Sequence, residues 1–145
     1  MNICHFKHFP KPYLAYPKVI KGLIFKNKNT EKILPDAEYI VDSFKVDIQH
    51  LADYNKLTDF ADNGEIPALY LAVLSQSLQM HMMTAEQFPF AILGLVHIRN
   101  KIIQYRKVYV HEELTLSCRF GELRPHDKGL EFDLLRLFMW LVRSL

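Results

Sequence analysis

The apolar positions of this chain change period as the chain proceeds, and each change predicts an element. From Pro67 to Thr84, PALYLAVLSQSLQMHMMT, apolar residues crowd every side of a helical wheel. A helix apolar most of the way round is read as a buried helix. Pro67 suits the first helical turn, where a missing N–H costs nothing. At 1.5 Å per residue the stretch would run about 27 Å. Ser75, Gln76, Ser77, Gln79 and His81 interrupt it, so it does not read as a membrane span. Upstream, Glu38 to Asp47 reads as a strand, with Ile40, Phe44 and Val46 on one face and Tyr39, Ser43, Lys45 and Asp47 on the other. Asp47 then suits a helix N-cap. Ile48, Leu51, Tyr54 and Leu57 follow at spacing three, predicting a short helix to about Phe60. ADNGE is a loop, with Gly64 its turn residue.

Beyond the long helix, Pro89 blocks continuation and the period becomes two. Val96, Ile98 and Ile102 alternate with His97, Arg99 and Lys101, predicting a strand. Leu114, Leu116, Cys118 and Phe120 alternate with Thr115, Ser117 and Arg119, predicting another. ELRPHDKG reads as a turn, since Pro125, Asp127 and Gly129 are turn formers. Leu130, Phe132 and Leu134 open a third strand. The pattern then fails: RLFMWLVRSL is a nearly continuous apolar run, either a buried strand or a short terminal helix. At the other end, residues 1–16 read as an arm broken by Pro10, Pro12 and Pro17, with Phe6, Phe9, Tyr13 and Tyr16 to pin it. KVIKGLIFK is a short strand or helical turn, and NKNTEK a loop. The order is strand, small helix, long helix, then three antiparallel strands. That predicts an α+β fold with the sheet curled around the helix, the hotdog arrangement.

Composition refines this picture little. The 145 residues suffice for one core, so the division expected is an N-terminal basic arm, 1–34, and one hotdog domain, 35–145. A net charge of +2 gives no argument for nucleic acid. Charge is uneven, however: seven lysines precede residue 33 against one acid, Glu31. Such a segment is a solvated arm or a contact for an anionic partner. Cys4 and Cys118 are far apart and suggest no disulfide framework, so a reducing compartment is the default. The N-terminus lacks the apolar core of a signal peptide, which makes a cytoplasmic location the expectation. Cys4, His5 and His8 are metal-ligand types, but the second pair usual in zinc sites is missing, and no metal is expected.

Four patterns, in this order and spacing, resemble one family: IPALYLAVLSQSLQMHMM, FPFAILGLVHIRNKI, RKVYVHEELTL and HDKGLEFDL. Over roughly residues 35 to 135 the chain is similar to MaoC-like acyl dehydratases, specifically to the first hotdog domain of double-hotdog members. The resemblance implies an acyl thioester, carried on coenzyme A or on acyl carrier protein, and reversible hydration of a 2-enoyl thioester. It implies no cofactor. In the family an Asp and a His do the proton work within a motif resembling S-G-D-x-N-P-x-H, beside a backbone donor for the thioester oxygen. ADNGEIPALY stands where that motif would lie and lacks the His. In double-hotdog members the motif sits in the second domain, so the expectation is a binding unit without the catalytic motif. The atypical tail from Leu135 raises the further expectation of a frameshift that truncated a two-domain gene.

The candidate catalytic residues are His97 and Asp62; their ordinary readings are a sheet-surface histidine and a loop acid. Tyr70, Met80, Met83, His97 and Asn100 are the candidates for contact with the acyl thioester, the methionines because their side chains adapt to a flexible chain. His81 reads as a core or helix-end histidine, His126 with Asp127 as part of a hairpin, and Cys118 as a small buried hydrophobe. A noncatalytic hotdog subunit is the main alternative, and a thioesterase using Asp62 or Glu65 the third. A lone hotdog sheet leaves an edge open, so a homodimer or pairing with another hotdog is expected.

Overall fold

The computed structural model describes residues 1–25 and 31–140, with the side chains of 22–25 left aside. Most of the loop expected at NKNTEK and the last five residues of the tail lie outside the described residues. Strand β1 (Asn2–Phe6) is followed by a 3-10 turn at Pro12–Ala15 and helix α1 (Tyr16–Phe25). Then come strand β2 (Ala37–Phe44), helix α2 (Ile48–Thr58) and helix α3 (Ala68–Met83). Strands β3 (Leu114–His126) and β4 (Gly129–Trp140) complete the chain. They form one sheet in the order β1-β2-β3-β4. β1 is parallel to β2, and the other pairs are antiparallel.

The N-terminal segment departs from the expected arm. β1 lies in register beside β2, with Cys4 opposite Tyr39, and so joins the sheet. The prolines start helices here instead of breaking them. Pro12 opens the 3-10 turn and Pro17 is the second residue of α1, positions whose N–H has no intrahelical partner to lose.

β2 begins one residue before the expected strand and ends at Phe44, short of Asp47, and the face assignment fails in its first half. Tyr39 and Val41 are the buried residues. A bulge between Val41 and Phe44, with Ser43 at φ 45°, shifts the phase and returns Phe44 to the core. One extra residue inverts the inside-outside pattern. α2 begins as expected: the Asp47 carboxylate accepts a hydrogen bond from His50 N–H at 3.0 Å. It ends at Asp59, a left-handed residue whose N–H reaches Asn55 O.

α3 lies across the sheet. Leu71, Ser75, Leu78 and Met82, at spacings of four, three and four, form the stripe buried against it. The sheet's side of the core comes from Val41, Leu114, Leu116 and Cys118, each at most 1% exposed. Phe88, Phe90, Phe120 and Phe132 close one end, with neighbouring ring centroids 5.2 to 5.9 Å apart. The expectation of a helix buried all round is corrected here. Leu69 is 51% exposed and Val73 39%, on the side away from the sheet.

Of the three strands expected after α3, two form. Residues 95–107 form no helix or strand and join no ladder among the described residues; Val96 and Ile98 project into solvent. Alternation describes the side chains a strand would carry, and whether a neighbouring strand is there to pair is a separate matter. The ELRPHDKG turn contracts to Asp127–Lys128, because β3 runs on to His126 and β4 starts at Gly129. A bulge between Phe120 and Leu123 accompanies a close approach at Gly121, where a Cβ would stand 2.9 Å from Asp133 Cβ. The described part of the tail is a strand, but not the buried one expected: β4 continues without a break through Leu135 to Trp140, with Leu137 55% and Trp140 45% exposed.

Candidate functional site

The seam between α3 and β4 gathers polar groups beside the apolar core. Ser75 is fully buried on α3. Its hydroxyl donates to Ala72 O at 2.7 Å and accepts from Gln79 Nε2 at 2.7 Å. Arg136 on β4 donates to the same hydroxyl at 3.4 Å through Nη1. Its Nη2 donates to Asn100 Oδ1 at 2.7 Å, tying the segment 95–107 to the seam. The Arg136 partners in this cluster are thus neutral oxygens. Cys118 lies opposite Arg136 in the ladder. Burial pushes its thiol up to about 12 against the opposing pull of the guanidinium, so it stays protonated and is no nucleophile.

A second polar pair sits at the start of α3. Tyr70 is fully buried, and its hydroxyl lies 2.7 Å from His50 Nδ1. Burial, and then the nearby Asp47 carboxylate, push the phenol up to about 12. A phenol so held donates a proton to a hydrogen bond and does not act as a base.

The likeness to known proteins runs through this framework. No family model matches the chain. Over 102 residues, 70% of its length, it is 31% identical to 3-hydroxyacyl-thioester dehydratase X of Mycobacterium tuberculosis. It is a distant homologue of that dehydratase. The crystal structure of HtdX from the same organism matches it with a TM-score of 0.65 at 29% identity, over 71% of this chain and 44% of the solved one. The fold is therefore the hotdog expected from the sequence. The chain spans 36% of the dehydratase's own length.

Against this homology the expected site residues separate into two groups. Asn100 and Tyr70 enter polar clusters, one at each of the places described. The others do not come together with them. His97 is exposed, and its Nε2 lies 2.8 Å from Arg99 O, in its own backbone segment. Asp62 is exposed on the loop before α3. Its neighbour Asn63 caps that loop, Oδ1 accepting from Glu65 N–H at 3.0 Å. Glu65 is itself paired with Lys107 Nζ at 2.8 Å, which leaves it poorly suited to be a thioesterase base. Met80 and Met83 are half-buried and lie off the stripe that packs on the sheet. His81 is held by rings, with its centroid 5.2 Å from Phe6 and 6.2 Å from Tyr39.

Ser75, Gln79, Arg136 and His50 were not among the expected site residues. Ser75 and Gln79 at spacing four on an apolar helix carried a signal, since two polar residues on one face ask for a partner. Arg136 stands amid a greasy run, and its contact with Asn100 bridges 36 positions that no local pattern relates. Among the described residues no three His, Cys, Asp or Glu side chains are grouped to hold a metal. No described helix is long and apolar enough to cross a membrane.

Proposed function

We propose that this chain is a hotdog unit that binds the acyl part of a 3-hydroxyacyl or 2-enoyl thioester and works against a second hotdog unit. The second unit supplies the Asp and His that remove the α-proton and return it to the departing β-hydroxyl as water. The carrier is coenzyme A or acyl carrier protein. The observation that carries the reading is the two-sided greasiness of α3. One stripe packs on the chain's own sheet, while Leu69 and Val73 on the other side stand open. Val96, Ile98 and Ile103 add exposed apolar area from the segment 95–107. Apolar surface of this kind marks an interaction site. A second hotdog, or a second copy of this chain, meets it with an apolar helix of its own.

The homology to a thioester dehydratase supports the substrate class. The polar seam supports a binding role, with Arg136, Asn100 and Ser75 to orient a polar group beside an apolar chain. The acid-base pair is the part assigned to the partner, because the candidates in this chain, His97 and Asp62, lie apart from that seam.

Purified chain should bind octanoyl-CoA by calorimetry yet leave crotonyl-CoA unhydrated. Mixing with a hotdog protein that carries the Asp/His motif should restore hydration. Turnover by the chain alone, lost on His97→Ala or Asp62→Asn, would overturn the division of labour. A strictly monomeric species by light scattering, unchanged on mixing, would overturn the pairing.

A further inference from the structure

Ser77 follows Ser75 by two residues, about 200° around α3, and so belongs to the opposite flank from the polar seam. There a groove of about 430 Å³ runs between α3 and the N-terminal segment. Its walls are Phe6 from β1 with Leu14 and Ala15 from the 3-10 turn, and Ser77, His81 and Thr84 come from α3. The hydroxyls of the two α3 residues are already used. Ser77 Oγ donates to Leu74 O at 3.4 Å, and Thr84 Oγ1 to Met80 O at 2.8 Å. They therefore turn mainly carbon toward the groove.

His81 adds no charge near neutral pH. Burial, and then the nearby Lys18, hold its imidazole below the ordinary histidine range. Among the described residues, the charges that line the groove are Lys11 and Lys18, and no acid lines it. An apolar trough with ammonium groups and no carboxylate is complementary to an amphiphile with an anionic head.

We propose that this groove binds a free fatty acid, its chain along Phe6, Leu14 and Ala15 and its carboxylate at Lys11 and Lys18. The site is separate from the Arg136 seam, so a fatty acid would act on the chain as a second ligand beside the thioester. It gives the lysine-rich start of the sequence a task that the proposed function does not use.

The test is calorimetric titration of the full chain with sodium dodecanoate below its micelle concentration. Dodecanol, dodecyltrimethylammonium and dodecanoyl-CoA are the comparison ligands. Dodecanoate should bind with one site per chain, and Lys18→Glu and Leu14→Glu should each weaken it by about tenfold or more. Leu14 is 62% exposed, so its substitution leaves the fold intact. Arg136→Gln should leave dodecanoate binding unchanged, which keeps this result independent of the thioester reading. Equal binding of dodecanol or the cationic amphiphile would overturn the proposal, as would dodecanoate binding indifferent to Lys18→Glu. Binding of dodecanoyl-CoA in this groove with none of dodecanoate would overturn it too.

Discussion

Leu78 and Leu69 allow one substitution to be made on two sides of the same helix. Nine residues at about 100° each put them half a turn apart. Leu78 is 0% exposed against the sheet, and Leu69 is 51% exposed on the far side. Leu78→Ala removes buried methyl groups and leaves a cavity that the ladder behind it cannot close, a cost of about 3 kcal/mol. Leu69→Ala removes groups already half in water and creates no enclosed cavity. Half the transfer energy of a leucine side chain sets its cost in the isolated chain at about 1 kcal/mol or less. Urea unfolding followed by circular dichroism, over about a hundredfold range of protein concentration, reads both numbers. If the far side of α3 is a docking face, the wild-type midpoint rises with concentration, and Leu69→Ala removes that rise while Leu78→Ala keeps it. Two equal losses, independent of concentration, would refute the reasoning, because Leu69 would then be packed as tightly inside the chain as Leu78.

Two further outcomes follow from the charge and thiol environments. Native protein treated with Ellman's reagent at pH 8 should release one equivalent of thiolate, from the half-buried Cys4, and a second only in denaturant, because burial keeps the Cys118 thiol protonated. Rapid reaction of Cys118 in the folded state would contradict its place in the core. Acidification should weaken the fold in two separated windows. The His81 imidazole is held below its ordinary 6.5 by burial, so the folded state favours its neutral form. That contribution is complete above pH 6.5 and is lost as pH falls through the lower folded value. The Asp133 carboxyl is held below its ordinary 3.8 by its hydrogen bonds from Arg124, at 2.8 and 3.0 Å. Its contribution disappears only below that pH. Urea midpoints for His81→Gln should flatten the upper window alone, and those for Arg124→Gln the lower one alone.

How much the sequence disclosed depends on how local each determinant is. Asp47 as N-cap and the start of α2 were legible because a cap and its first turn are adjacent in sequence. The alternation at Leu114 to Phe120 was legible because β3 is covered on one face. The same alternation at Val96 to Ile102 misled, since these residues join no ladder among the described residues. β1 went unread because its five residues carry little pattern and acquire their place from β2, more than thirty positions on. The β2 face went wrong at a bulge, which a two-residue period cannot anticipate. Tyr70 and Asn100, singled out from the sequence, fall in the two polar clusters, whereas Arg136 was hidden because its partners come from α3 and from the segment 95–107. The greasiness of α3 was interpreted too simply: the stripe facing the sheet is buried, while Leu69 and Val73 on the far side are exposed.

The hairpin between β3 and β4 has a consequence for the order in which the molecule assembles. His126 pairs with Gly129 across a two-residue turn, and the ladder then extends to Leu114 and Trp140. The β2–β3 pairing of Glu38 with Arg119 must instead close a chain of 81 residues (119 − 38). The entropy of loop closure grows as (3/2)RT ln n, so the distant pairing costs about 3 kcal/mol more to initiate. The hairpin is thus the natural nucleus, formed within microseconds on its own scale. β2 then docks on a preformed template, and β1 adds last through its parallel ladder. During that interval the β3 edge that will receive β2 is open, and the apolar face meant for α3 is uncovered. The folding chain therefore exposes, for a time, apolar surface beyond the Leu69 and Val73 side that its finished helix leaves open.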